Sequence, residues 1–237
     1  MIHGYVPNDF GYGIVVPLLK DRCGDVNKLD NYRAITISCF ISKVFKLCIC
    51  DKFGEFLYSH PLQFGFKKGI GCQNAFFAMQ QTVKYFTERG STVFISTVDA
   101  SKAFDRICHV KLIDKLCDRN FPRCLICVLC NWYGKLISYV RWNGVLSDLF
   151  VVSQGVRKGG VLSPFLFNIY VDDLIKQLEL SGTGCHVNGG YIGAILYADD
   201  LLLLSASISG LQHMLDICYF YGLYNSIVLI TTNLHAL

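Results

Sequence analysis

Two adjacent carboxylates, Asp199 and Asp200, interrupt an apolar stretch that runs from Ile192 to Ser205. The apolar residues on either side form short runs without helical periodicity, which predicts two buried strands. The two aspartates then fall at the tight turn between the strands, where Asp is favoured. Because burying a bare carboxylate is costly, the pattern leaves two interpretations open: a solvated surface turn, or oxygen ligands that hold a divalent cation. A third carboxylate from another segment would favour the cation.

Asp99 is the candidate for that third carboxylate. Residues Thr92–Val98 form a strongly β-branched strand pattern that leads directly into Asp99. If the two strands are neighbours, three carboxylates meet at one edge of a sheet, and they cannot all stay ionised unless cations lie among them. Two Mg²⁺ ions, with Mn²⁺ as an alternative, are the usual solution in phosphoryl and nucleotidyl transfer.

The composition of the 237-residue chain indicates a folded protein. Hydrophobic residues make up 52% and charged residues 17%, which excludes a disordered chain. No apolar run reaches the roughly 18 residues that cross a bilayer, and the N-terminus does not resemble a signal peptide. We therefore expect an intracellular protein without a membrane partner. The net charge of +4 is too small to indicate a nucleic-acid partner by itself.

Twelve cysteines in a chain without a signal peptide predict reduced thiols in the core rather than disulfides. Cys124, Cys127 and Cys130 have a spacing that iron–sulfur ligands also use. Their segment lacks the Cys-Pro pair that completes such a motif, and it has the apolar character of a helix. We expect these three residues to act as small hydrophobic side chains.

Periodicity and turn signals predict one continuous α+β unit. The predicted strands are Ile14–Leu19, Arg33–Ile37, Thr92–Val98, Leu136–Trp142 and Leu149–Val152, with a further strand on each side of the Asp199–Asp200 turn. A turn at Asn143–Gly144 is predicted to join Leu136–Trp142 to Leu149–Val152. The predicted helices are Ser38–Leu57, Gln73–Glu88, Asp105–Asn120, Cys124–Trp132, Ser163–Leu180 and Gly210–Tyr221. The tail beyond Tyr221 carries no pattern.

A second aspartate pair, Asp172 and Asp173, also follows a tyrosine and one apolar residue. It lies inside the predicted helix Ser163–Leu180, so we interpret it as the polar side of that helix and not as a metal site. Asp105 has two interpretations as well. It either caps a helix over Ile107–Leu116, which we favour, or takes part in catalysis.

Three segments, in this order along the chain, resemble the polymerase motifs of reverse transcriptases. They are Phe94–Asp105, Gln154–Asn168 and Tyr197–Asp200, and they are similar to those of non-LTR (LINE-type) retrotransposons. Arg33–Ile35 and Gln63–Phe66 resemble the fingers motifs that precede them. The resemblance covers a single reverse transcriptase domain over about 14–222. An ordered set of motifs is far more specific than any one of them.

The resemblance implies a right-hand polymerase with fingers and palm, the palm being a ferredoxin-like antiparallel sheet backed by helices. We expect the fingers at 1–92 with part of 121–150, and the palm at 93–237. The family continues into a lysine-bearing turn, a primer grip and a helical thumb. Since 224–237 contains no lysine or arginine, we expect the thumb to be absent.

The implied reaction is RNA-directed DNA synthesis, in which a dNTP extends a DNA primer on an RNA template. The resemblance assigns catalysis and metal binding to Asp99, Asp199 and Asp200, with the Ala100 backbone at the metal. It assigns dNTP binding to Lys20, Arg33, Phe104, Gln154 and Gly155, where Phe104 would exclude a ribose 2′-hydroxyl. Contacts with nucleic acid are expected from Lys67, Lys68, Arg157 and Lys158.

Two other functions stay open at this point. One is an inactive remnant that at most binds nucleic acid, which the missing tail favours and the three retained acids oppose. The other is an RNA-templated RNA polymerase, which Phe104 opposes because RNA synthesis needs room for the 2′-hydroxyl. The family implies action in the nucleus. The sequence predicts no oligomeric state.

Overall fold

The computed structural model describes residues 3–237, which fold into two compact units. The first unit comprises the described residues up to Leu57 together with Cys108–Leu166, and the second comprises Tyr58–Ile107 and Phe167–Leu237. The strands are β1 Tyr12–Leu19, β2 Tyr32–Ser38, β3 Phe94–Ser101, β4 Ile137–Trp142, β5 Val145–Leu146, β6 Phe150–Val151, β7 His186–Val187, β8 Gly190–Tyr191, β9 Ala194–Tyr197, β10 Asp200–Ser205 and β11 Val228–Ala236. The helices are α1 Phe40–Lys52, α2 Cys72–Thr87, α3 His109–Asp118, α4 Arg123–Tyr133, α5 Ser163–Leu180 and α6 Ile208–Asn225.

The first unit is built on a mixed sheet of strand order β2-β1-β4-β5, with β6 also paired to β4. Strands β1 and β4 run parallel, and the other pairs are antiparallel. The predicted turn at Asn143–Gly144 is confirmed, since both residues have positive φ, as a tight hairpin turn requires. Next to the sheet, the rings of Phe10, Phe45 and Trp132 pack with centroids 5.3–5.9 Å apart.

The second unit contains a four-stranded antiparallel sheet of order β11-β3-β10-β9. Side chains alternate between its two faces, so each face has its own core. Ile95, Ile195 and Leu204 pack with Ala75 of α2 on one face. On the other face, residues such as Ala100 and Leu201 line a closed gap together with side chains of α5 and α6. The predicted antiparallel sheet backed by helices is confirmed.

The tail beyond α6 differs from the sequence-based expectation. It forms strand β11, which pairs with β3 over eight residue pairs and contains a bulge between Thr231 and Asn233. Its β-branched residues favour a strand, but nearly every side chain is exposed, so there is no alternation of apolar and polar residues to reveal it.

Two helices are shorter than predicted. Helix α1 ends at Lys52, and a 3₁₀ turn over Gly54–Phe56 replaces its last turn, because glycine there disfavours continuation. The segment predicted as Asp105–Asn120 begins with a 3₁₀ turn over Ala103–Arg106, and the α-helix starts only at His109. The extended residue Cys108 is the N-cap, so the favoured prediction that Asp105 caps the helix is wrong.

Cys124, Cys127 and Cys130 lie in a helix, as predicted, but the prediction that the cysteines are buried in the core is wrong for most of them. All twelve thiols are free, but only Cys185 and Cys218 are buried. Helix α4 turns Leu125, Val128, Leu129 and Trp132 inward, and these follow the i, i+3, i+4, i+7 spacing of a buried helix face. The side chains of Cys124, Cys127 and Cys130 therefore fall on the exposed side.

The two units divide the chain at positions other than those of the predicted fingers (1–92 with part of 121–150) and palm (93–237). Parallel pairing of β1 with β4 joins Ile137–Trp142 to the N-terminal strands. A bridge from Gln63 to Leu196 joins the segment after Leu57 to the sheet of the second unit. The assignment of fingers and palm boundaries stays a prediction. Among the described residues, no helix combines the length and apolar character that crossing a bilayer requires.

Two cations, Lys46 and Arg157, are buried in the first unit, each 9% exposed. The Arg157 guanidinium donates to the backbone carbonyls of Phe10, Tyr12 and Ile137, and also to that of Gly11. The Lys46 Nζ lies 4.9 Å from the centre of the Trp132 ring. Burial, and then repulsion from Arg157, lower the pKa of Lys46 from 10.5 to about 8.

Replacing Lys46 with methionine should therefore stabilise the protein. At pH 7 we expect the free energy of unfolding of Lys46→Met to rise by roughly 1–3 kcal/mol, because the cost of the buried charge exceeds its attraction to the Trp132 ring. Between pH 8 and 10.5 the unfolded wild type binds more protons than the folded protein, so wild-type stability rises with pH and the difference shrinks.

Urea unfolding at several pH values, compared with the exposed Lys43→Met on the same helix, measures this difference. Lower stability of Lys46→Met than of wild type at pH 7 would contradict the assignment of a net cost to the buried ammonium.

Candidate active site

The strand register of the second unit brings two of the three predicted acids together. Strand β3 continues through Asp99, and Asp99 pairs directly with Asp200, the first residue of β10. Opposed residues on antiparallel strands have their Cβ atoms about 4.5–5.5 Å apart and on the same face. Asp199 lies in the turn before β10, and its carbonyl accepts a 3.4 Å hydrogen bond from the Ala100 N–H.

These acids repel one another, and this repulsion makes it harder for Asp200 to lose its proton. Partial burial raises the pKa of Asp200 above its usual value, and the neighbouring charges of Asp199 and Asp99 raise it further. Asp200 is the most exposed of the three acids although part of it is covered, and the other two acids are half-buried. Like charges this close favour a bound cation, which would relieve the repulsion.

The acids suit a hard divalent cation but do not enclose one. Within residues 3–237, no group of three or more His, Cys, Asp or Glu side chains is arranged to hold a metal ion. Mg²⁺ is commonly bound by one or two carboxylates together with substrate phosphates and water, so an incomplete protein shell fits it. The opposed carboxylates of Asp99 and Asp200 have the chemistry of such a site.

A 330 Å³ cavity opens beside these acids. Its polar lining comes from Asp99, Asp200, Thr97 and Thr232, and most of the rest is apolar or aromatic. The two threonine hydroxyls hydrogen-bond to each other at 2.8 Å across the bulge of β11. Asp99 and Asp200 therefore face an open cavity on the α2 side of the sheet, whereas Asp199 lines the narrow gap on the opposite face.

Phe104 also lies in the second unit, in the 3₁₀ turn after β3. Its ring stacks on buried Phe167 with centroids 4.7 Å apart and an interplanar angle of 12°. The ring of Phe66 meets it edge-on at 5.8 Å. These two contacts fix the orientation of an aromatic side chain that is half-buried.

The remaining predicted dNTP residues belong to the first unit. Arg33 pairs with Leu18 near one end of the β1–β2 hairpin, Lys20 immediately follows β1 at that end, and both cations are exposed. Gln154 is exposed, whereas Gly155 is buried. The Gly155 carbonyl lies 2.8 Å from Nε2 of His109 and can only accept, so this ring nitrogen carries the proton.

The predicted nucleic-acid contacts have different environments. Lys68 is exposed and Lys158 is half-buried. The Lys67 Nζ instead donates to the carbonyls of His60 and Ser59, at 2.6 and 3.4 Å. Arg157 is committed to the backbone carbonyls described above, and this placement favours a structural role over contact with a phosphate backbone.

The second aspartate pair, Asp172 and Asp173, has a structural role. Asp172 is 1% exposed, accepts a hydrogen bond from the His60 backbone N–H, and lies 3.3 Å from the Lys176 ammonium. Asp173 is partly exposed and lies 3.4 Å from the same ammonium. The prediction that both residues lie in a helix is confirmed. The prediction that they form its polar side is wrong for Asp172, whose carboxylate is buried, while Asp173 is partly exposed.

Sequence reasoning missed one group of residues at this site. Gln63 and Gly65 contact the turn that carries Asp199, through hydrogen bonds and close backbone packing. Both residues belong to the Gln-Phe-Gly-Phe motif that resembles a fingers motif, but nothing local in that motif indicates a contact 135 residues away.

Comparison with known proteins identifies the fold and the family of this chain. Solved telomerases from Candida have the same fold: one from Candida tropicalis, in complex with a fragment of telomeric RNA, superposes with a TM-score of 0.64 at 11% identity, over 96% of this chain and 42% of that one. The reverse transcriptase (RNA-dependent DNA polymerase) family matches residues 20–223. The chain belongs to that family.

Its curated relatives are proteins of non-LTR mobile elements. The Pol polyprotein of the type-2 retrotransposable element R2DM from Drosophila melanogaster is 27% identical over 78% of this chain and 18% of its own length. The RNA-directed DNA polymerase of mobile element jockey from Drosophila funebris is 24% identical over 86% of this chain and 22% of its own. The chain spans about a fifth of the length of these two relatives.

The two aspartates of α5 should differ sharply when replaced. We expect Asp172→Ala to lower the free energy of unfolding by about 2–4 kcal/mol, because it leaves the part-buried His60 N–H without its acceptor and removes the ion pair of a buried carboxylate. Asp173→Ala should change it by less than about 0.5 kcal/mol, as for other exposed pairs. Chemical denaturation measures both, and equal effects would contradict the assignment of the buried role to Asp172.

Proposed function

We propose that this chain is the catalytic module of an RNA-directed DNA polymerase, which transfers a nucleotidyl group from a dNTP to the 3′-hydroxyl of a DNA primer on an RNA template. The observation that carries the proposal is the opposition of Asp99 and Asp200 on neighbouring strands, with Asp199 in the adjoining turn. Membership of the reverse transcriptase family supports the reaction class. The activity named for the jockey relative supports it as well.

The three acids would hold the cations of the reaction. Two Mg²⁺ ions, or Mn²⁺ in their place, would lower the pKa of the primer hydroxyl and stabilise charge on the phosphates. The carboxylates of Asp99 and Asp200 present oxygen atoms toward one cavity, and the hydrogen bond from Ala100 to the Asp199 carbonyl ties the turn to β3. The protein thus fixes its acids on a paired sheet before any substrate arrives.

The residues predicted to bind the incoming nucleotide differ in chemistry. Lys20 and Arg33 are exposed cations at one end of a hairpin, and the planar guanidinium of Arg33 suits a triphosphate. Gln154 and Gly155 would contact the nucleotide and template, with His109 supporting the Gly155 carbonyl. Phe104, held by Phe167 and Phe66, would exclude a ribose 2′-hydroxyl.

The proposed partners are an RNA template and a DNA primer. Lys68, which is exposed, and Lys158, which is half-buried, would follow a phosphate backbone, and such contacts weaken with salt. An RNA template is supported by the RNA-directed activity named for the jockey relative. Because the curated relatives belong to retrotransposable elements, we propose that the protein acts in the nucleus.

Primer extension on an RNA template tests the proposal. With Mg²⁺ and dNTPs the wild-type chain should extend the primer, and Asp99→Asn and Asp199→Asn should each lower the rate on the order of 100-fold or more, because charge stabilisation at the reacting phosphate is lost. Asp173→Asn, on the surface of α5, is the matched control and should keep its rate.

Three outcomes would contradict the proposal. Extension with NTPs in preference to dNTPs would indicate an RNA polymerase. The absence of product from either pool would leave at most a nucleic-acid-binding protein. Retained activity in both acid variants would exclude these carboxylates from the chemistry.

Phe104→Val should relax sugar selection, because the smaller side chain leaves space where a 2′-hydroxyl would otherwise meet the ring. We expect the ratio of kcat/KM for dNTP over the matching NTP to fall roughly 10- to 100-fold, mainly through faster use of NTP. Phe77→Val, which truncates an exposed ring of α2, is the control. An unchanged ratio in single-nucleotide incorporation would remove Phe104 from the sugar contact.

A further inference from the structure

The turn between β9 and β10 contains a backbone conformation that its sequence does not favour. Tyr197 pairs with Asp200, so Ala198 and Asp199 form a two-residue loop. Ala198 has a φ of +60°, in the left-handed region that residues with a Cβ rarely adopt. A conformation of this kind persists only where its surroundings impose it. Since the loop includes Asp199 and leads into Asp200, its shape sets the position of both acids.

The side-chain amide of Gln63 makes hydrogen bonds to both the N–H and the carbonyl of Ala198 in this loop. Its Oε1 accepts a hydrogen bond from the Ala198 N–H at 3.1 Å, and its Nε2 donates to the Ala198 carbonyl at 3.2 Å. Oε1 also accepts from the Gly65 N–H at 2.8 Å. Gln63 is 1% exposed, so water does not compete for these bonds.

The backbone around Gln63 is fixed to the same sheet. The Phe64 N–H donates to the Leu196 carbonyl at 2.7 Å, and the Leu196 N–H donates to the Leu62 carbonyl at 2.9 Å. This segment therefore forms a parallel bridge with the edge strand β9, directly before the turn. The backbone hydrogen bonds to Leu196 therefore fix the position of the Gln63 amide next to Ala198.

Gly65 and Asn168 complete the support. A Cβ on Gly65 would overlap the backbone nitrogen of Ala198, so only glycine allows this close approach. The Asn168 Nδ2 donates to the Gly65 carbonyl at 3.0 Å, and Asn168 is 3% exposed. Helix α5 thereby holds the Gln63–Gly65 segment against the turn.

We propose that Gln63 is a positioning residue that holds Ala198 in its left-handed conformation and so sets the Asp199 and Asp200 carboxylates in their reactive geometry. The proposal rests on the polymerase function proposed above for its kinetic consequence, but its structural part stands independently of activity. Gln63 touches neither substrate nor cation in this role. It acts through the turn, so its loss should affect the chemical step more than nucleotide binding.

Two measurements on the full chain test the proposal, and the first does not need catalysis. In Gln63→Met, which preserves length but removes both polar atoms, amide hydrogen exchange of Ala198 should become at least about 10-fold faster, because the N–H loses its acceptor. Exchange in the β3–β10 ladder should stay within about twofold. In primer extension, kcat should fall about 10-fold or more, while KM for dNTP changes less than about twofold.

Rescue separates positioning from a general structural role. Glycine adopts a φ of +60° without steric cost, so Ala198→Gly should recover most of the lost kcat when it is combined with Gln63→Met. Ala198→Gly alone should differ little from wild type, and Gln80→Met, on the exposed side of α2, is the matched control. If Gln63→Met does not fold, Gln63→Asn, which keeps the amide but shortens its reach, takes its place.

The outcomes are distinct. Unchanged exchange at Ala198, or additive effects in the double variant, would overturn the positioning role. A wild-type chain that is inactive with every nucleotide pool would contradict the proposed function, while faster Ala198 exchange in Gln63→Met would still confirm that Gln63 holds the turn.

Discussion

The antiparallel pairing of β3 with β10 is the interaction on which the rest of the site depends. It sets Asp99 opposite Asp200, although these residues lie about a hundred positions apart in the chain. Side chains alternate along a strand, so a slip of one residue would move Asp200 to the other face of the sheet. The register of β10 against β3 therefore decides whether the carboxylates of Asp99 and Asp200 lie on the same face.

Burial alone cannot set that register. Strand β10 reads Asp-Leu-Leu-Leu-Leu-Ser, and both of its faces are covered, so a shifted strand would still bury leucine on either side. The two-residue turn at Ala198–Asp199 fixes β10 against β9, because loop length fixes the register of a hairpin. The hydrogen bond from the Ala100 N–H to the Asp199 carbonyl then ties the same turn to β3. The amide of Gln63 holds that turn in a conformation that alanine does not favour. A residue far from the acids in sequence thereby helps to position Asp199 and Asp200.

Much of this fold follows from local pattern. The β-branched run before Asp99, the spacing of apolar residues in α2 and α5, and the Asn-Gly turn all indicated their elements correctly. The exposure of Cys124, Cys127 and Cys130 could also have been found, because the apolar residues beside them mark the buried face of α4. Cysteine is often a core residue, but in α4 larger apolar side chains already fill the buried face.

The features that escaped prediction depend on long-range contacts. Strand β11 has mostly exposed side chains and exists because β3 offers a partner. Arg157 belongs to a basic loop, yet the fold surrounds it with carbonyl groups and gives it no carboxylate partner among the contacts described. The Gln63 amide meets Ala198 across 135 residues, and no local spacing encodes that meeting.

The most direct test of the paired acids is an anomalous diffraction experiment on crystals of the chain soaked with Mn²⁺. Opposition of Asp99 and Asp200 predicts an anomalous peak in contact with both carboxylates, on the face of the sheet that α2 covers. A peak at Asp172 and Asp173 instead, or electron density that shows Asp99 and Asp200 on opposite faces, would contradict the account.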